Sequence, residues 1–195
     1  MTKAVSTRLT ILQKALTLIY RQGYGMTSID TILATTQLTK GAFFYHFRNK
    51  EEMGLALIQE LIKPAMEEAF VKPLAKSSQP TQAIYTMMKQ LLLKDPFFEV
   101  QYGCPAVNLA SELSAANEPL HQALLEVMRQ CQQAVQSSIE RGQATGQIRP
   151  ELQADQAADF ILVGYSGIRN LGKLFGRSCY QTYLRELKRY LQTLT

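Results

Sequence analysis

Apolar residues recur three and four positions apart along nearly the whole chain. The first such run, Ile11, Leu12, Ala15, Leu16 and Ile19, lies on one face of a helix, and the same spacing returns in the later segments. Leu, Ala, Gln, Lys and Glu are abundant and Trp is absent, which agrees with this pattern. We therefore predict an all-α protein, and its 195 residues are enough to form a real hydrophobic core.

Capping residues and prolines divide this pattern into separate helices. The first four predicted helices start at these N-caps: Ser6 or Thr7, Thr27, Thr39, and Asn49 paired with Glu52. Pro64 should kink or end the fourth helix. Apolar stripes place the remaining helices at about 84–92, 105–115, 120–139, 157–175 and 184–194. We predict a head over residues 1–50 and a body over residues 51–195, which the fourth helix connects.

The positive charge of the chain is concentrated in the head. The net charge of the whole chain is +5, whereas residues 1–50 carry seven Lys or Arg and one Asp, or 7 − 1 = +6. The other 145 residues therefore sum to −1. A basic head on a nearly neutral body indicates a polyanionic partner for the head alone.

Other residue patterns argue against several classes of protein. The three cysteines are too widely spaced for a metal knuckle or a disulfide framework, as expected in a reducing cytosol. No apolar run reaches the length of a membrane span, so we expect a soluble, cytoplasmic protein. The two histidines are far apart, and we find no nucleophile motif, phosphate loop or metal-ligand spacing. We therefore expect no enzyme, cofactor or metal; the less favoured alternative from another class is a helical small-molecule carrier or enzyme.

The segment LTKGAFFYHFRNKEE (38–52) combines five rings, three Phe, one Tyr and one His, with Lys-Gly near its start. On a helix that begins at Lys40, Phe43 and Phe47 face one way and would fill the core of the head. Lys40, Gly41, Ala42, Phe44, Tyr45 and His46 would lie on or beside an exposed face, where glycine and alanine allow close approach of another surface.

Lys40 and Lys50 stand in first helical turns, where the helix macrodipole disfavours positive charge by about 0.3 to 1 kcal/mol. A DNA phosphate would favour both lysines, because helix N-termini and lysine side chains bind anions. The exposed rings, the glycine and the two lysines together predict a recognition helix for the major groove of double-stranded DNA. With the short helix before it, this segment forms a helix-turn-helix.

Residues 27–53, TSIDTILATTQLTKGAFFYHFRNKEEM, resemble the N-terminal head of the TetR family of bacterial transcriptional regulators. The resemblance implies these roles in DNA binding: Thr27 and Ser28 on phosphate, Thr39, Lys40, Gly41 and Ala42 facing the groove, Phe44, Tyr45 and His46 on backbone or base edges, and Lys50 on phosphate. Three positions depart from the family pattern: Leu33 replaces a small residue, Gln37 replaces the usual turn glycine, and Phe44 replaces a tyrosine.

The body is expected to bind a small-molecule effector. Its candidate pocket residues are Tyr85, Met88, Phe97, Phe98, Tyr102, Cys104 and Asn108. An alternative is a sensor of electrophiles or oxidants that acts through Cys104. Because Pro105 favours the first helical turn, Cys104 would occupy an N-cap, where backbone amides stabilise a thiolate. A mild alkylating agent should then modify Cys104 before Cys131 or Cys179.

The resemblance also implies a homodimer that forms through the last two helices, 154–175 and about 179–194. The predicted dimerisation residues are Gly164, Gly167, Tyr183, Leu187, Tyr190 and Leu191, with Arg169 or Lys173 at the edge. We predict a ligand-responsive regulator, most simply a repressor, that binds a palindromic operator as a dimer. An effector would release the DNA by changing the spacing of the two heads, with the helix at Pro64 as lever.

Overall fold

The computed structural model describes residues 3–113 and 117–195, and every regular element in this part of the chain is a helix. The predicted all-α class is confirmed. The helices are α1 Lys3–Gln22, α2 Ile29–Ala34, α3 Lys40–His46, α4 Lys50–Leu57, α5 Lys63–Met66, α6 Lys72–Ala75, α7 Pro80–Leu93, α8 Pro105–Leu113, α9 Glu118–Ala144, α10 Ala154–Phe175 and α11 Arg177–Gln192. Two π-helical segments, Ile58–Ile62 and Glu67–Val71, lie between α4 and α6.

The first compact unit comprises residues up to 64 together with 105–126, so it extends beyond the head of 50 residues that we expected. Its core contains the apolar face of α1 and the inner rings of α3: Ile11, Leu12, Ala15, Phe43 and Phe47 are at most 1% exposed. Helix α1 begins at Lys3, before the predicted N-caps Ser6 and Thr7. The Ser6 carbonyl accepts the Thr10 hydroxyl at 2.9 Å, which is an interaction of a helix interior.

The fourth helix does not end at Pro64, because the helical segments follow one another without a break to Ala75. A proline in a helix lacks an N–H group, and its ring clashes with the carbonyl four residues earlier. Here the residue before each proline donates to the carbonyl five residues back, Lys63 to Ile58 and Lys72 to Glu67. Each wider π turn directly precedes a Lys-Pro pair and accommodates its proline.

The second compact unit comprises residues 65–104 and 127–195. Helix α11 packs against both α7 and α10. The leucines Leu184, Leu187 and Leu191 of α11, and Leu194 just after it, are at most 4% exposed. The apolar residues that α7 buries, among them Ile84 and Met88, are equally buried. The bounds of α10 are those predicted for that helix, whereas α11 begins at Arg177, two residues early. Helix α8 is described to Leu113; the last two predicted residues, 114 and 115, lie outside the described residues.

Among the described residues, none of the helices combines the length and the apolarity that crossing a bilayer requires. Over the same residues, no three His, Cys, Asp or Glu side chains form a group that could hold a metal ion.

Candidate nucleic-acid interface and ligand cavity

Helix α2 is capped by Ser28, which corrects the predicted cap at Thr27. The Ser28 hydroxyl accepts the Thr31 backbone N–H at 3.0 Å. Thr27 is fully buried, and its hydroxyl donates to the Gly23 carbonyl at 2.8 Å inside the turn after α1. The Thr27 side chain therefore cannot contact a phosphate, contrary to the prediction, whereas the exposed Ser28 is available to one.

The turn between α2 and α3 closes without the glycine that the family pattern has at position 37. The Thr35 hydroxyl donates to the Ile32 carbonyl at 2.8 Å, and the Thr36 hydroxyl donates to the Leu33 carbonyl at 3.0 Å. The backbone N–H groups of Thr35 and Thr36 donate to the same two carbonyls, so each threonine closes the end of α2 with both its N–H and its hydroxyl. Gln37 keeps a negative φ, as do all the other non-glycine residues that the structure describes. Leu33 is 8% exposed, so the core accommodates it.

Helix α3 starts at the predicted cap and divides its rings as predicted. The Thr39 hydroxyl accepts the Ala42 N–H at 3.2 Å. Phe43 and Phe47 are buried with their ring centroids 5.6 Å apart, and the Arg8 guanidinium lies 4.9 Å from the Phe47 centroid. The inner face of α3 is therefore firmly fixed to α1.

The outer face of α3 presents rings and a lysine to solvent. Phe44 is 52% exposed and Tyr45 is 78% exposed. The rest of the predicted groove-facing set lies beside them: Thr39, Lys40 and Gly41 are exposed, and Ala42 and His46 are half-buried. A Cβ atom on Gly41 would meet only the Thr39 hydroxyl, at 3.8 Å, so backbone of α3 is open to close approach at this point. Large exposed rings have no folding benefit and indicate contact with another surface.

Both lysines of the first helical turns already have partners within the chain. Lys40 forms an ion pair with Asp30 at 2.8 Å. The Lys50 ammonium donates to the Tyr24 carbonyl at 2.6 Å and lies 4.1 Å from the Tyr24 ring centroid. Burial lowers the pKa of Lys50, and the nearby Glu112 charge opposes that effect. Lys50 can therefore serve as a phosphate ligand only if its ammonium leaves Tyr24, whereas Lys40 has only to leave or share an ion pair that is itself exposed to solvent.

Two family profiles match this chain. One, described as bacterial regulatory proteins of the tetR family, matches residues 11–57, and one described as the tetracyclin repressor-like C-terminal domain matches residues 82–187. The chain belongs to the TetR family of bacterial transcriptional regulators. The family resemblance of residues 27–53 is thereby confirmed.

Individual proteins agree with this membership. The chain is 28% identical to the HTH-type transcriptional repressor DhaR of Mycobacterium sp. strain GP1 over 80% of this chain and 77% of that protein. It is 28% identical to the transcriptional regulator AcuR of Cereibacter sphaeroides over 75% of this chain and 67% of that protein. The crystal structure of a TetR transcriptional regulator from Chloroflexus aurantiacus is 27% identical, covers 98% of this chain and 97% of its own, and has a TM-score of 0.87.

The second compact unit of this TetR-family protein contains a cavity of about 770 Å³. Ala83, Met87 and Leu91 of α7 line it, together with Phe97 and Phe98 from the loop after α7. The two phenylalanine rings stand edge to face, with centroids 5.0 Å apart. Of the predicted effector residues, Phe97 and Phe98 therefore lie in the cavity wall.

The other predicted effector residues lie elsewhere. Met88 is buried in the core one position beyond the lining Met87, and Tyr85 points to a separate surface pocket that Lys188 shares. Tyr85 and Met88 lie on a different face of α7 from the residues that line the cavity, because neighbouring helical positions point in different directions. The remaining three, Tyr102, Cys104 and Asn108, are also absent from the cavity wall.

The burial of the thiols contradicts the sequence-based order of reactivity. Cys104 and Cys131 are 0% exposed, and burial raises the pKa of Cys131 to about 12. Cys179 is only partly buried. A mild alkylating agent should therefore modify Cys179 first, which mass spectrometry of partly labelled native protein would detect. Earlier labelling of Cys104 would restore the sensing hypothesis, which the burial does not favour.

The predicted dimerisation residues divide into inner and outer positions. Leu187 and Leu191 are 4% and 3% exposed and belong to the core, so assigning them to a dimer interface was wrong. The stripe they form faces α7 within the same chain. Gly164 leaves room for the Tyr183 ring, since a Cβ at position 164 would lie 2.5 Å from the Tyr183 hydroxyl oxygen. The rings of Tyr190 and Phe160 are tilted by 43°, with centroids 4.5 Å apart. Of the predicted dimerisation residues, Gly167 alone is exposed, and a Cβ at position 167 would have no neighbour within 4 Å.

The exposed apolar stripe lies on α10 instead. Its members are Phe160 at 58%, Val163 at 70%, Leu171 at 46% and Leu174 at 79% exposure, with Gly167 between them and Phe175 beside them at 64%. Positions 160, 163, 167, 171 and 174 are separated by steps of three, four, four and three, the spacing of a helix seam.

The sequence analysis misplaced one residue, Arg169, and missed another, Glu112, that form important contacts in the structure. Arg169, expected at the edge of the dimer stripe, is 0% exposed. Glu112 was not selected at all, although it binds the turn between α1 and α2. One signal for Glu112 was present: an acidic residue in the last turn of a helix opposes the macrodipole and so indicates a partner.

Proposed function

We propose that this TetR-family regulator is a ligand-responsive repressor that binds a palindromic operator as a homodimer. The observation that carries the proposal is the outer face of α3, where Tyr45 is 78% exposed and Phe44 52% exposed on a helix that is capped by Thr39 and fixed from within. A rigid helix with rings and a lysine outward fits a major groove. The similarity to DhaR, which is named a repressor, supports repression rather than activation.

The exposed stripe of α10 supports the homodimer. A contiguous apolar patch of this size on one helix is unusual on a monomer and indicates burial against another chain. A seam with spacings of three and four that contains a glycine allows a second copy of α10 to approach closely. Two heads held in this way would bind two half-sites related by two-fold symmetry.

The cavity supports a small-molecule effector, and its wall indicates the chemistry. Among the described residues that line it, none is Lys, Arg or His. Apolar side chains such as Met87, Leu91 and the two phenylalanines share the wall with polar ones: Glu68, Ser77, Ser78, Gln79, Gln82, Thr86, Gln90 and Asp95. The lining Glu68 is already paired with Lys72 at 2.6 Å. The wall therefore lacks a cation for a carboxylate ligand and favours an uncharged aromatic molecule that packs on the rings and also forms hydrogen bonds.

The proposal is tested by the affinity for promoter fragments and random DNA and by its salt dependence. Lys40→Ala should weaken binding and flatten the log-log salt slope by about 0.9 for each head, because one phosphate contact is lost. Lys89→Ala is the matched control, since it removes the same charge from an exposed position of α7. Gel shifts at several salt concentrations measure both quantities. Equal affinity of the wild type for promoter and random DNA would contradict the proposed function.

A further inference from the structure

A carboxylate from α8 sits in the turn between α1 and α2. Glu112 accepts the Tyr24 N–H at 2.8 Å and the Gly25 N–H at 2.5 Å, one on each carboxylate oxygen. Successive backbone N–H groups of this kind form an anion-binding nest. A Cβ on Gly23 would lie 3.2 Å from the carboxylate and one on Gly25 would lie 3.0 Å from it, so the two glycines leave room for it.

The same turn also holds the start of α4. The Lys50 ammonium binds the Tyr24 carbonyl at 2.6 Å, while Glu112 binds the Tyr24 N–H. Lys50 is the first residue of α4 and follows the recognition helix by four positions. Burial raises the pKa of Tyr24 to about 12, and the charges of Glu51 and Glu112 add to the rise. One residue, Tyr24, therefore joins α8 to the element that continues from α3.

Glu112 would be poorly placed without this partner. It lies in the last turn of α8, where the helix macrodipole opposes negative charge, and its side chain is exposed to water. The nest offsets that effect. A second contact ties the next segment to α4, because the Asn117 amide donates to the Glu51 carboxylate.

We propose that Glu112 is a positioning residue for operator binding, which holds α8 to the α1–α2 turn and so lets α8 control the placement of α3. The inference rests on the proposed function. Helix α8 follows in the chain directly after the loop that supplies Phe97 and Phe98 to the cavity wall. A ligand that shifts this loop would act on the helix whose last turn carries Glu112.

The test is Glu112→Gln, with Glu140→Gln as the matched control. Both variants remove one exposed negative charge, so simple electrostatics predicts equal or tighter DNA binding for both. We expect Glu112→Gln to lower operator affinity about threefold to tenfold, the range for losing one exposed hydrogen bond. Binding to random DNA should not fall. Native-state hydrogen exchange should show faster exchange of the Tyr24 and Gly25 amides only in the Glu112 variant.

A second variant tests the nest from the other side. Gly25 has no positive φ, so alanine there is strained only by the carboxylate that its Cβ would approach. Gly25→Ala should weaken operator binding in the wild type and have no effect in Glu112→Ala, which is the non-additivity of groups in contact. Unchanged operator affinity of Glu112→Gln, or unfolding of this variant by circular dichroism, overturns the inference. A wild type that cannot distinguish operator from random DNA overturns the proposed function instead.

Discussion

Leu187→Asp should leave no cooperatively folded protein, whereas Leu174→Asp should leave a folded monomer. The two leucines lie on neighbouring helices but in opposite environments, with Leu187 4% exposed and Leu174 79% exposed. A carboxylate at position 187 would be buried against α7 without a partner, which costs several kcal/mol. A carboxylate at position 174 costs the subunit little and would enter only the seam between two copies of α10.

Circular dichroism melts and sedimentation velocity separate the two outcomes. Leu174→Asp should keep its melting transition and sediment as a monomer at micromolar concentration. Its operator affinity should fall at least about 100-fold, because two linked heads raise the effective concentration of the second contact by that order. A Leu174→Asp protein that remains dimeric with full operator affinity would show that the seam is not the exposed stripe of α10. A folded Leu187→Asp protein would show that Leu187 is not needed in the core.

The helices and their caps could be predicted because they depend on neighbours in the chain. Thr39 caps α3 and Asn49 caps α4, as their positions before apolar runs predicted. At Asn49 the side chain accepts the Glu52 N–H at 2.8 Å, and Glu52 in return accepts the Arg48 N–H at 2.8 Å. Thr27 failed as a cap because its buried hydroxyl is bound to Gly23, and Ser28 is one residue along. Threonine and serine both serve as N-caps, so a sequence pattern does not decide which of two neighbours occupies the cap position.

The partners of each face could not be predicted from the sequence. A period of three and four locates the stripe of Leu184, Leu187 and Leu191 but does not tell whether α7 or a second subunit covers it. The exposed stripe of α10 has the same period. Similarly, Lys50 and Glu112 bind a turn that is more than twenty residues away in the chain, so no local pattern contains the contact.

The burial of Arg169 could not be predicted from the helical pattern. Its side chain is fully buried, and it donates to the carbonyls of Leu91 and Phe98, both residues of the cavity wall. Its guanidinium lies 5.0 Å from the Phe98 ring centroid and 5.4 Å from that of Tyr165. Among the described residues, no carboxylate forms an ion pair with it. A buried arginine is costly, and here its benefit is to hold the end of α7 and the following loop against α10.

Arg169→Ala should therefore weaken both the second compact unit and its cavity. Two buried carbonyls would lose their donor, at about 1 to 3 kcal/mol each, and the removed side chain would leave a void. The gain from removing a buried charge offsets part of this, so we expect a net loss of about 2 to 4 kcal/mol and a melting temperature lower by at least about 5 °C. N-phenyl-1-naphthylamine, an uncharged aromatic dye that fluoresces in apolar sites, should bind to Arg169→Ala at least about tenfold more weakly than to the wild type.

Arg177→Ala is the matched control, because Arg177 is exposed and donates to the Leu93 carbonyl at 2.8 Å near the same helix end. If the two variants have the same melting temperature and the same affinity for the dye, Arg169 does not hold the cavity wall.

If only Arg169→Ala no longer binds the dye while it is still folded at 25 °C, its operator affinity should no longer respond to the dye. In the wild type a 100-fold response would require about 2.7 kcal/mol of differential binding, and saturating operator DNA would have to weaken dye binding by the same factor.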